Sequence, residues 1–355
     1  MKRDMQTTAR TACRGCHGVC QVLVTRDSDG RVIKITGDKD SPTSRGYICA
    51  KGVHAADLFN HPDRLTRPLL RKKGRGEGSW EEISWDRATD LIAEKFSSIK
   101  EESGAEYIAI AQGTGRPYTE FTNRFSRALG TPNLVSPGFN CFLPRVICGT
   151  LTFGFFPRAD IYGFGGQMPR SLMILGSNVM QTGAADGYCG GMVARAFREA
   201  ENTIYIDPRA TRDARKSTYH LPLRPGTDCA LLLGMIHTLI RENAYDKEFV
   251  EKHCSGFEAL SNHIKPFSSE WAAKITGLDA SLIEAAALSF ARVQPGAMIW
   301  GNGIDESISA FQTARAAFIF LALSGTLDVP GGMVDWVYPD EIRPKSTLVS
   351  REVSS

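Results

Sequence analysis

Ser171-Leu172-Met173-Ile174-Leu175-Gly176-Ser177-Asn178 is a short apolar run that stops at three turn-forming residues. It reads as a β-strand feeding a loop. Ala185 to Ala200 then has helical periodicity, and Thr203 to Ile206 is a second strand, ending at Asp207-Pro208-Arg209. The alternation continues with a helix over Ala230 to Asn243, a strand over Ala297 to Trp300 that ends at Gly301-Asn302-Gly303, and a helix over Thr313 to Leu323. Strands that alternate with helices predict an α/β fold, a doubly wound parallel sheet wrapped on both faces.

Upstream, Trp85 to Ser103 is helical by its spacing, with Ser84 as N-cap and Gly104 as stop. Tyr107 to Ala111 predicts a strand and Tyr118 to Leu129 an amphipathic helix. A basic, glycine-rich linker, Arg71 to Gly78, precedes them. The first 65 residues read as a small loop-rich module, with a hairpin from Gln21 to Thr25 and Arg31 to Thr36 around Asp29-Gly30. The last residues, Ile342 to Ser355, are polar.

The chain has 355 residues, 42% of them hydrophobic, enough for two or more domains. A net charge of +3 with interspersed signs does not form the basic stripe of a nucleic-acid binder. The most apolar stretch, Ala316 to Leu323, is too short to span a membrane. Met1 to Ala12 lacks a hydrophobic signal region or twin arginine, which gives the cytoplasm as the expected compartment.

Nine cysteines are crowded at the start and scattered later, a pattern for metal or redox chemistry rather than a disulfide scaffold. Cys13, Cys16 and Cys20 fall within eight residues, and Cys49 follows at a distance. A [4Fe–4S] cubane needs four thiolates from different directions; one tight loop supplies three and a remote residue the fourth. Gly15 and Gly18 let the backbone close around such a cluster. A structural zinc site is the alternative, although zinc more often takes two separated C-x2-C pairs.

From these cysteines onward the sequence resembles the dimethyl sulfoxide reductase (molybdopterin oxidoreductase) family. The resemblance continues through Gly46-Tyr47-Ile48-Cys49-Ala50-Lys51-Gly52, His61-Pro62-Asp63-Arg64-Leu65 and Trp80-Glu81-Glu82-Ile83-Ser84-Trp85. It extends to Asp207-Pro208-Arg209, Pro225-Gly226-Thr227-Asp228 and Pro330-Gly331-Gly332 in the family's order. Acetylene hydratase-like and catechol dehydroxylase-like members are the most similar. The resemblance implies a [4Fe–4S] cluster, bis-molybdopterin guanine dinucleotide, and Mo or W. It also implies a small-molecule substrate, and an external electron carrier or Fe–S subunit as partner.

Family members continue well past this length. The resemblance therefore implies a truncated or split catalytic subunit, with a separately encoded C-terminal half among the partners it implies. Its parts would be a cluster module (1–65), the first half of an α/β domain (66–136), a doubly wound dinucleotide-binding domain (137–327) and the start of a return to the second domain (328–355).

Site roles follow from the same resemblance. Cys141 has the spacing of the protein thiolate on Mo or W, a soft ligand for a metal held by dithiolene sulfurs. Cys148, seven residues on, competes for that role. Cys148, Cys189, Cys229 and Cys254 otherwise read as small buried hydrophobes. Lys51 resembles the lysine between cluster and pterin. Gly176, Ser177, Asn178, Gly301 and Asn302 sit in strand-end loops suited to phosphate, though such loops are also ordinary turns. Asp207, in Asp207-Pro208-Arg209, suits ribose hydroxyls. Asp228, in the segment with Gly226, resembles the residue that reads the guanine amino group, or is a helix cap. Arg145 orients substrate or pterin, or forms a structural salt bridge.

His17 follows the second cluster cysteine, where acetylene hydratase-like enzymes carry an Asp. A His there is still a proton donor near neutral pH. Reduction or reductive dehydroxylation is therefore expected, with a tungsten-dependent hydratase and a non-catalytic iron–sulfur electron-transfer module as the alternatives.

Overall fold

The alternating residues from Gln21 do form a hairpin. The protein's structure, a computed structural model, describes residues 6–113, 119–185 and 187–336. It opens with an antiparallel sheet in the order β1-β2-β3, made of β1 (Thr7–Ala12), β2 (Gln21–Arg26) and β3 (Val32–Gly37). The Asp27 carboxylate accepts from the N–H groups of Asp29 and Arg31 and shapes the β2–β3 turn. β1 comes from a stretch that reads merely as polar. Its pairing sets Ala12 opposite Gln21, which closes the intervening cysteine loop. Two short helices follow, α1 (Ala50–Val53) and α2 (Ala55–Phe59).

Leu58–Phe139 forms a compact unit of its own. It holds the antiparallel pair β4 (Leu69–Arg71) and β5 (Trp80–Glu82), then α3 (Trp85–Ser103). The parallel pair β6 (Ala109–Ala111) and β7 (Asn133–Val135) flanks α4 (Thr119–Leu129). Ser84 caps α3 as expected, its hydroxyl accepting from the Arg87 N–H. Tyr107 ends a 3-10 turn instead of opening the strand. Tyr118, the expected helix start, lies outside the described residues, as do residues 342–355.

The N-terminal strands and the chain from Asn140 onward form the other unit. By their contacts the residues up to Asp57 group with this unit, and Leu58 opens the other. This unit continues through α5 (Gly138–Cys141), α6 (Leu143–Phe153), β8 (Arg158–Ala159), β9 (Ser171–Leu175) and α7 (Val179–Thr182). Next come β10 (Ala184–Ala185), β11 (Tyr188–Cys189), α8 (Gly190–Glu199), β12 (Asn202–Ile206) and β13 (Tyr219–Leu221). The helix expected from Ala185 begins only at Gly190, because Ala184 and Ala185 pair with Cys189 and Tyr188 as strands.

The helices α9 (Asp228–Arg241), α10 (Lys247–His253), α11 (Phe257–His263), α12 (Ser269–Thr276) and α13 (Ala280–Arg292) lead to β14 (Gly296–Trp300). Then come α14 (Asn302–Asp305), α15 (Ala310–Leu323) and β15 (Met333–Val334).

Four strands build the central sheet in the order β13-β12-β9-β14, all parallel. Every residue of β9, β12 and β14 is buried, so both faces are covered. Each fully buried aliphatic side chain contributes about 1.5–3 kcal/mol, which makes this sheet the core of the unit. The chain winds outward from β9 to β12 and β13, then returns to add β14 on the opposite side. The strand order thus reverses at β9, and ligands of open parallel sheets bind outside the C-terminal strand ends at such a reversal.

Candidate cofactor site

The reversal brings two loops together. Gly176 follows β9 and Gly301 follows β14. The Gly301 N–H donates to the Leu175 carbonyl at 3.0 Å, and the Gly303 N–H to the Gly176 carbonyl at 3.3 Å. A Cβ on Gly301 would stand 2.7 Å from the Gly176 oxygen, so a side chain there would collide with backbone. Ser177 is held from the neighbouring strand, its carbonyl accepting from the Tyr205 hydroxyl at 2.6 Å.

Cys141 arrives at the same place. Its Sγ is 3.4 Å from Oδ1 of Asn302, the first residue of α14. The thiol is half-buried. Cys148, by contrast, is 1% exposed inside the hydrophobic core, where burial pushes its thiol up.

Arg145 sits at the foot of this arrangement. It forms an ion pair with Asp305 at 2.7 Å, the two side chains being 2% and 1% exposed. It also donates to the Trp300 carbonyl at 2.8 Å and reaches the Cys141 carbonyl at 3.5 Å. Of the two roles considered for Arg145, orienting substrate or pterin and forming a structural salt bridge, these contacts supply the second. A buried guanidinium committed to these groups supports the loop that carries Cys141. Asp305, its partner 160 positions away in the chain, has no local sequence signal.

Asp207 and Asp228 lie at the same strand-end edge. One Asp207 oxygen accepts from the Arg209 N–H at 2.8 Å, closing its own turn, and the Arg209 side chain is exposed. Gly226 is exposed in the loop before α9. Thr227 is the cap of α9, and Asp228 is the first residue inside the helix. Burial, reinforced by the nearby negative charge of Asp207, pushes the Asp228 carboxyl up to about 6. A buried carboxyl at a strand-end crevice is a suitable acceptor for an amino or hydroxyl donor of a ligand.

The cysteine loop is closed by the hydrogen bond from the Cys13 N–H to the Cys20 carbonyl, 2.8 Å. The Gly15 N–H points to the Cys13 sulfur at 3.5 Å. Two glycines lie against the sulfurs: a Cβ on Gly183 would stand 3.4 Å from Cys49 Sγ, and one on Gly52 3.6 Å from Cys13 Sγ but 2.6 Å from the Ile48 side chain. Among the described residues no three His, Cys, Asp or Glu side chains converge as they would around one metal ion. A cubane instead takes each thiolate at a different iron, so four cysteines that do not converge on one point suit it.

Lys51, two residues after Cys49, donates from Nζ to the Thr182 carbonyl at 2.7 Å. Because α7 starts just beyond Asn178, this hydrogen bond connects the cysteine side with the strand-end loops. His17 is half-buried, and its carbonyl faces Gly187.

Cys189 is buried in the hydrophobic core, as expected, and it has a sulfur neighbour. Its sulfur lies 3.8 Å from that of Cys20, with both residues buried. Nothing in the local sequence ties these two positions together, because the contact spans 169 residues.

Two family profiles match the chain. Residues 6–61 match the molybdopterin oxidoreductase Fe4S4 domain, and residues 64–338 match molybdopterin oxidoreductase. Acetylene hydratase of Syntrophotalea acetylenica is 33% identical over 331 residues, covering 91% of this chain and 44% of its own length. Formate dehydrogenase H of Escherichia coli (strain K12) is 30% identical over 334 residues, covering 90% and 45%. The solved structure of acetylene hydratase from Pelobacter acetylenicus superposes with a TM-score of 0.76 at 32% identity, covering 91% and 44%. The chain thus spans less than half the length of these relatives. Among the described residues no helix is long and apolar enough to cross a membrane. The strand reversal, the cysteine loop and the two profile matches agree, and the chain belongs to the molybdopterin oxidoreductase family, whose cofactors are a [4Fe–4S] cluster and a molybdopterin carrying Mo or W.

Proposed function

We propose that this chain is the cluster- and cofactor-binding part of a cytoplasmic Mo or W oxidoreductase that reduces, or reductively dehydroxylates, a small substrate. The observation that carries the reading is the Cys141 thiol beside Asn302 at the strand reversal. When bound, the molybdopterin metal supplies two-electron chemistry and the cluster one-electron transfer.

The chain's own residues have separate tasks. Cys13, Cys16, Cys20 and Cys49 hold the cluster. Cys141 supplies the protein thiolate to Mo or W, and Asn302 and Arg145 fix its position. Gly176, Ser177, Asn178, Asp207, Arg209, Gly226, Asp228, Gly301 and Asn302 receive the two guanine dinucleotide arms. Lys51 fixes a positive charge between the two centres. His17 holds a proton for the substrate. An external electron carrier or Fe–S subunit exchanges electrons with the cluster.

The likeness to acetylene hydratase favours a second reading, a non-redox hydratase. His17 argues against it, since it stands where acetylene hydratase-like enzymes carry an Asp. The test is anaerobic purification of the full-length protein, metal analysis, and assay with and without a viologen electron donor. Iron with Mo or W, and turnover that requires the donor, supports the oxidoreductase reading. Turnover without any donor supports the hydratase. A cluster with neither Mo nor W overturns both and leaves an electron-transfer module.

A further inference from the structure

Cys189 is the buried thiol that the proposed function leaves unused. It ends β11 and caps α8, and it is 1% exposed against 6% for Cys20. Its backbone N–H donates to the Tyr162 hydroxyl at 3.1 Å, and the N–H groups of Gly191 and Met192 hydrogen-bond its sulfur. The segment is pressed onto the cluster loop. A Cβ on Gly191 would stand 2.4 Å from the Tyr47 ring, and one on Gly190 would be 3.0 Å from the Gly183 carbonyl oxygen. Tyr47 lies two residues before Cys49, and Gly183 lies against the Cys49 side chain. The segment that carries Cys189 thus packs beside Cys49 as well as Cys20.

The Cys20 and Cys189 sulfurs are in contact at 3.8 Å. A thiolate–metal bond is about 2.3 Å long, so an iron that Cys20 reaches comes within a side-chain rotation of Cys189.

We propose that Cys189 is a reserve iron ligand, able to replace Cys20 at its corner of the cluster. The inference rests on the assignment of Cys13, Cys16, Cys20 and Cys49 as the resident ligands. In the exchange the Cys20 sulfur–iron bond breaks and a Cys189 sulfur–iron bond forms. The Cys189 proton passes to the Cys20 sulfur, and no electron is gained or lost.

The test uses the full chain reconstituted anaerobically with ferrous iron and sulfide, read out as iron content, thiolate-to-iron absorbance and the EPR signal after reduction. Cys20→Ala should keep at least about half of the wild-type iron, and Cys20→Ala/Cys189→Ala less than about a tenth. Cys49→Ala, with no fifth thiol against it, should be as empty as the double variant. Cys189→Ala alone should match wild type. Cys20→Ser against Cys20→Ser/Cys189→Ala repeats the comparison in case the alanine variant does not fold by circular dichroism. Equal iron in the single and double Cys20 variants overturns the reserve role. Loss of the cluster in Cys189→Ala makes it an obligate ligand and also overturns it. A wild-type chain that takes up no iron overturns the four-cysteine assignment, and the reserve role with it.

Discussion

The guanidinium of Arg145 meets the carboxylate of Asp305 at 2.7 Å, with both side chains sealed from water. The pair joins α6 to α14 and so fixes the loop bearing Cys141 to the end of β14. Removing one partner strands a charge in the interior, which costs about 3–5 kcal/mol, whereas removing both does not. Arg145→Met should therefore lower the urea midpoint strongly, and Arg145→Met/Asp305→Leu should recover most of the loss. A single variant as stable as wild type would show that the pair does not hold the loop.

Cys141 and Cys148 are separated by a direct comparison. Cys141→Ser should leave iron content unchanged while Mo or W content, or turnover, falls at least about 10–100-fold, the range seen when even a supporting group around a metal is lost. Cys148→Ser buries a hydroxyl in the core and should cost about 1–3 kcal/mol of stability without a selective loss of Mo or W. The opposite pattern would move the metal ligand to position 148.

Asp228 predicts a pH dependence in protein free of the pterin cofactor. Its carboxyl is raised from 3.8 to about 6 on folding. The neutral form is thus favoured in the folded state, and its contribution is complete below the unfolded value. That contribution is lost as pH rises from about 4 through about 6, with a total on the order of 1–3 kcal/mol. Asp228→Asn should flatten this part of the stability curve and raise stability at neutral pH. An unchanged slope between those pH values would mean that the carboxyl is ionised throughout.

Gly183 tests the packing against Cys49. Its φ is +93°, and a Cβ there would stand 3.4 Å from the Cys49 sulfur. Gly256 has φ +79° and open space around it. Replacement by alanine should cost each about 1–2 kcal/mol of backbone strain. Only Gly183→Ala should also reduce iron retention on exposure to a chelator. Equal retention in the two variants would remove Gly183 from the cluster environment.

The parts legible in the sequence were those whose signal is local. Ser171–Leu175 is identifiable as a strand because a fully buried parallel strand must be apolar and must end in turn residues. Ser84 is identifiable as a cap because its acceptor role needs only the next turn of helix. The helix expected from Ala185 starts late for the converse reason: Ala184 and Ala185 find strand partners in Cys189 and Tyr188, which outweighs helical spacing there. Asp305 and Cys189 were invisible because their partners, Arg145 and Cys20, come from distant parts of the chain. β1 was missed because its residues are almost all exposed and carry no apolar alternation.

The backbone contact between Gly176 and the Gly301–Gly303 turn restricts how this scaffold can be re-engineered. Neither 301 nor 303 has space for a side chain without prying β9 and β14 apart. A library intended to change ligand preference should keep those glycines, because the two strand ends meet there through backbone alone.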